Sequence, residues 1–412
     1  MPKNKSGLLA AIILLLQAPL SAAEIFVVNS ASRTLSRIDT QAGTVNNSFT
    51  QLGLTPNLMD LDEDHVYIAC SGDNAIQVVN RATGAHIRYI PVAPSSNPYD
   101  VLRVGENLYV TGLFTDKVYK ISLQSNSVVA SLTVGISPQG LANWQNRLFV
   151  CNTGGYINNY ANSSISVIDL DSFTLTETLP VWTNPQFAVV HDGYLHVSCT
   201  GNWTDIQGKV DIIDPATLEL VQRLNIGGNP GNIWINPSGL AYLGDGMGFG
   251  LYSYDAVTHE VYHNASNPLP YDAFAISGNA GMMALLDQNW TGNSVVTTYQ
   301  HDLIPLNSYN VGLSSTDMVV TPEGNTANND QVQKVVFRLY PNPLPRGGSL
   351  RLVSGRSGNA ELRIYNPRGQ LLQKESVSPD GTVPLPKLPA GVYLYRVEQD
   401  QHIQSGKLLI LN

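Results

Sequence analysis

Positive charge is scarce in this chain: 23 Lys and Arg face 32 Asp and Glu among 412 residues. Over residues 24–334 the imbalance is sharper, eleven basic against twenty-seven acidic, a formal charge of −16. Such a surface cannot match a phosphate backbone, so nucleic acid is not an expected partner. Cysteine is rarer still. Cys70, Cys151 and Cys199 are too few and odd in number for a disulfide scaffold, and no Cys/His cluster has metal-ligand spacing. No apolar run reaches the roughly 20 residues of a membrane-spanning helix, so no transmembrane segment is expected. GxSxG, HExxH and Walker motifs are missing, and the eight histidines are scattered. His196 reads as a core substitute for the Tyr or Phe of other repeats. Gly244-Asp245-Gly246-Met247-Gly248 precedes a strand rather than a helix, so it reads as a blade loop and not a phosphate cradle. No catalytic residue, metal ligand or cofactor is assigned.

What is present begins with a leader. Lys3 and Lys5 precede the apolar stretch Leu8–Leu16, and Ser21-Ala22-Ala23 offers small residues for cleavage, so residues 1–23 read as a signal peptide. The mature chain is expected outside the cytoplasm. Residues 325–334, NTANNDQVQK, are polar and aperiodic and read as a linker. Beyond it the balance reverses, with ten basic against five acidic residues over 335–412.

Between leader and linker, residues 24–324 repeat themselves. Apolar strands start at Ile25, Val66, Leu108, Leu148, Leu195, Leu240 and Met282, at spacings of 40 to 47 residues. Each is followed by a polar loop, an alternating strand, a turn, a third strand, a punctuating proline and a fourth strand. Four period-2 strands per unit of about 40–45 residues predict propeller blades. The fold class is all-β: a seven-bladed β-propeller followed by a small Ig-like antiparallel β-sandwich over 335–412. The chain enters on what would be a second strand, so the last strand, Thr316–Thr321, is expected to fill the vacancy and close the ring.

Tyr109-Val110-Thr111-Gly112 and its equivalents, with Asn97-Pro98, Asn184-Pro185 and Asn229-Pro230 downstream, resemble the YVTN-type repeat of seven-bladed propellers. That resemblance implies a fold and says little about chemistry. In the C-terminal segment, Tyr340-Pro341-Asn342-Pro343, the run ending at Gly369, Gly391 with Tyr393, and Lys407 near the end are similar to the type A sorting domain of the type IX secretion system. The similarity implies type IX machinery as partner and delivery to the outer-membrane surface or the medium after passage through the periplasm.

Loops after the first strand of each repeat are enlarged in blades 4, 5 and 7, and all should emerge on one face. Tyr156, Trp203, Asp205, Asp287 and Trp290 are the candidate ligand-binding residues. Aromatic faces stack, while Asp and neighbouring Asn orient a polar ligand such as a glycan, peptide or protein segment. Trp203 and Trp290 would equally serve as caps on blade edges. Three functions compete: a non-catalytic binding protein, a lactonase-like hydrolase, and a structural surface-layer component. A cluster of charged residues in the central channel, with or without bound metal, would favour the hydrolase; an apolar or water-filled channel beneath an aromatic loop rim would favour binding.

Overall fold

A computed structural model describes residues 23–321, 337–340, 344–354, 358–366, 370–378, 381–399 and 402–411. The leader up to residue 22 and the linker 325–334 lie outside the described residues, as do Pro341, Asn342, Pro343 and Gly369 of the sorting motif. Tyr340 and Lys407 fall in the strands Phe337–Tyr340 and His402–Leu411. The chain divides between Gly324 and Asn325 into two compact units.

The first unit contains seven four-stranded antiparallel sheets. Their innermost strands are Ser315–Val320, Pro56–Leu61, Pro98–Val104, Pro138–Trp144, Pro185–His191, Pro230–Ile235 and Ala275–Gly278, for blades 1 to 7. Each packs on the next, and the seventh packs on the first, so the ring is closed. Blade 1 joins both ends of the unit: Ile25 pairs with Val320 and Val27 with Met318.

Second strands such as Ile25-Phe26-Val27-Val28 are apolar without alternation because their two faces enter different seams. Ile25 and Val27 pack with Ala284 and Val296 of blade 7. Phe26 and Val28 pack with Val66 and Ile68 of blade 2. One such cluster fills each of the seven seams. Burying apolar area at roughly 25 cal/mol per Å² in every seam is what holds the blades together. Cys151 and Cys199 share the seam between blades 4 and 5, Cys70 lies between blades 1 and 2, and all three are free and buried.

The second unit has a three-stranded and a five-stranded sheet. Leu350, Leu352, Leu362, Ile364, Val397 and Leu408 form its core. It departs from a wholly antiparallel sandwich at one place, where Leu344 pairs parallel to Ile410. Both strands belong to the five-stranded sheet, where the two-residue strand Leu344–Pro345 forms the edge beside His402–Leu411. Tyr393 donates its hydroxyl to the Pro389 carbonyl at 2.9 Å, fixing the turn before Gly391.

Candidate binding site at the axial mouth

Strand register decides which end of the ring carries the loops. Pro56 pairs with Cys70, Pro98 with Gly112, Pro138 with Asn152, Pro185 with Cys199 and Pro230 with Asp245. The start of each innermost strand therefore lies on the same face as the loop that follows the second strand. Residues just after those prolines line the channel mouth on the loop face.

Behind the mouth the wall is built by carboxylates. Asp317 Oδ2 accepts the Met59 amide at 2.8 Å while Oδ1 accepts its own neighbour Met318 at 2.9 Å. Asp60 does the same to Arg103 and Leu61, and Asp100 to Leu141 and Val101. Each Asp thus clips its blade to the next. Asn232 and Ser277 make neutral versions of the clip, accepting from Ile276 and Val320. Between blades 4 and 5, Gly140 lies flush against the Gln186 backbone instead. Burial raises all three carboxyls, Asp317 to about 7 and Asp100 well above its usual range; the charge of Asp60 adds to the effect on Asp100 and Asp317, and that of Asp317 adds to the effect on Asp100. Their oxygens are engaged by backbone amides, so the cluster is structural hardware of the ring. Single-sequence reading missed it, although the signal was there: NLMDL, YDVLRV and TDMVV each carry one Asp in an otherwise apolar strand.

In front of this wall lies a pocket of ≈ 190 Å³. Asn57, Tyr99, Gln186, Asn232 and Thr316 contribute polar atoms from five innermost strands, and Phe187, Phe274 and Trp290 contribute apolar walls. Six of the seven blades reach it. Its lining includes no charged side chain. Burial, then the charges of Asp100 and Asp317, push the Tyr99 hydroxyl up to about 12, so it stays protonated.

The five sequence-derived site residues all sit on this face but not in one place. Trp290 alone lines the pocket. It is 53% exposed and meets Phe274 edge-on at 5.8 Å between ring centroids. Asn289 supports it by accepting the Thr291 and Gly292 amides. Asp287, exposed at the foot of the same loop, is raised by desolvation and then by the nearby charge of Asp272. Trp203 is half-buried at a backbone φ of 66°. That left-handed geometry is held because Asn202 Oδ1 accepts three amides, from Thr204, Asp205 and Ile206. The Trp203 ring lies against Gly246 of blade 6, where an added Cβ would come within 2.7 Å of it. Gly246 itself lines the pocket, so Trp203 acts as its outer buttress. Asp205 binds Asn202 and Thr204, and these hydrogen bonds hold its carboxyl below the usual range. Tyr156 is farthest out, 77% exposed and edge-on to Tyr160. Asn202 Nδ2 donates to Asn159 at 3.1 Å, which ties the loops of blades 4 and 5 together. The same face exposes Phe114, Ile157, Met247 and Phe249.

His196 is wholly buried in the seam between blades 5 and 6, with Nδ1 2.8 Å from the Tyr254 hydroxyl. Burial first, then His191 and His259, lower it to about 3, so it is neutral. Among the described residues no group of three His, Cys, Asp or Glu side chains is arranged to hold a metal ion. No helix among them is long and apolar enough to cross a membrane.

Comparison with known proteins agrees on architecture. No curated protein sequence matches the chain. Similar solved structures include the Kuenenia stuttgartiensis hydrazine synthase (TM-score 0.54, 15% identity, covering 63% of this chain and 88% of that one). A chain of the mitotic checkpoint complex is also similar (TM-score 0.50, 15% identity, 61% and 76% coverage). The Neurospora crassa Pan2 WD40 domain matches at TM-score 0.48 and 12% identity, over 72% of this chain and 85% of that one. At such identities the likeness concerns the fold alone. Residues 338–411 match the family model of the secretion system C-terminal sorting domain, so the second unit is a sorting tail of that family.

Proposed function

We propose that this is an exported, non-catalytic binding protein: a YVTN-type propeller, released from its leader, that captures a partner at the axial mouth of its loop face. The observation that carries the reading is the pocket framed by Trp290 and Phe274 above the amides of Asn57, Gln186 and Asn232. Aromatic area with a few convergent polar groups is the usual make-up of a binding pocket. Around it stand exposed Phe114, Ile157, Met247 and Phe249. Interface cores favour aromatics and Met and avoid Lys and Glu. A hydrolase would need reactive groups free in the channel, whereas the axial carboxylates are spent on backbone amides. Type IX machinery is the export partner, acting through the sorting tail. The test is a glycan and peptide array probed with the full chain and with Trp290→Ala. A hit lost in the variant supports the role, and silence on both arrays removes it.

A further inference from the structure

The axial pocket is lined by aromatic rings and amides, yet charge of one sign surrounds it. Asp272 and Asp287, both exposed, flank the Phe274–Trp290 pair, and the charge of Asp272 acts on Asp287. Asp205 lies on the rim beside Trp203. Basic groups that could answer them are engaged elsewhere. Arg103 is the one Lys or Arg on the seven innermost strands, and it pairs with Asp62 at 3.3 Å near the opposite end of the ring. In the loop-face segments of blades 4 to 7 the one basic side chain is Lys209, whose ammonium sits 3.8 Å from the Trp182 ring centroid.

We infer that the pocket takes a positively charged side chain, the ammonium or guanidinium of a lysine- or arginine-bearing polypeptide, an inference that rests on the binding role proposed above. Size limits the guest: ≈ 190 Å³ admits one side chain and not a folded domain. A cation is drawn to aromatic faces by their quadrupole, and Trp is the best such face. Trp290, Phe274 and Phe187 would surround the aliphatic stem, while Asn57 and Gln186 offer carbonyl oxygens to its N–H groups. The uncompensated acidity supplies complementarity and speeds encounter. The exposed apolar rim is left for the rest of the polypeptide. An aliphatic rim of Ile157 and Met247 suits a peptide better than a glycan, whose hydroxyls it cannot satisfy.

The test is calorimetric titration of the full chain with one peptide scaffold carrying Lys, Arg, acetyl-lysine, norleucine or Glu at a central position. Lys and Arg peptides should bind about tenfold or more tighter than acetyl-lysine and norleucine, about what a desolvated cation–aromatic contact supplies. Trp290→Ala should abolish that preference, and Asp272→Asn with Asp287→Asn should weaken Lys and Arg binding and its salt dependence together. Circular dichroism melts of each variant separate lost binding from lost folding. Equal affinity for norleucine or acetyl-lysine overturns the cation while leaving the binding role intact. No binding by any peptide also overturns it, and a hit on the glycan array would then keep the binding role alone.

Discussion

Asp317 Oδ2 holds the amide of Met59 at 2.8 Å, joining residues 258 apart in sequence across the seam where the ring closes. Removing that carboxylate strands the amides of Met59 and Met318. Asp317→Ala should therefore destabilise the propeller by about 1–3 kcal/mol, read by urea unfolding. Asp60→Ala and Asp100→Ala should cost similar amounts, since their bonding is the same. A variant with unchanged midpoint would show the clips to be incidental.

The same carboxyl sets a pH dependence. Its folded value, about 7, lies above the unfolded value near 3.8. The folded state thus binds more protons between those values, so stability falls as pH rises from about 4 through 7. Melting of the full chain should be higher at pH 5 than at pH 8, and the difference should shrink in Asp317→Asn. A melting temperature that rises over this interval would contradict the sign.

Closure depends on Ser315–Val320 completing blade 1. A chain ending at residue 313 would expose the edge of Glu24–Asn29 and leave Asn29 without its bonds to Gly312 and Ser315 in their closed geometry. Size-exclusion chromatography should show aggregation. A monodisperse product melting like the parent would mean that the ring does not rely on that strand.

The two loop tryptophans should behave differently. Trp203 is half-buried and packs on Gly246, so Trp203→Ala should cost about 1–3 kcal/mol of stability. Trp290 is half open to solvent, and Trp290→Ala should stay within about 1 kcal/mol. Equal losses would make both of them caps on blade edges.

Much of this was legible in the sequence, for reasons that differ by element. Period-2 runs recurring every 40 to 47 residues can only be blades, and the unpaired first and last strands announced the closure. Trp203 and Trp290 stood out as aromatics in enlarged loops, and in each loop the preceding Asn, Asn202 or Asn289, builds the turn. The pocket floor was not found. Asn57, Tyr99 and Gln186 are single residues after a proline, and their convergence exists only once the seven strands share an axis. The clips escaped for a related reason. Asp60 lies four residues after its proline and Asp100 two after its own, so no common spacing marks them although both bridge to the next blade.

The central claim is that binding resides at the axial mouth of the loop face. Ile304, 52% exposed in the turn between the third and fourth strands of blade 7, lies at the other end of the ring and provides the control. The decisive measurement is the affinity of an array-identified ligand for the full chain, Trp290→Ala and Ile304→Ala, each first shown to melt like the parent. The account predicts about a tenfold or greater loss in Trp290→Ala and no change in Ile304→Ala. Unchanged affinity in Trp290→Ala, or a loss confined to Ile304→Ala, would contradict it.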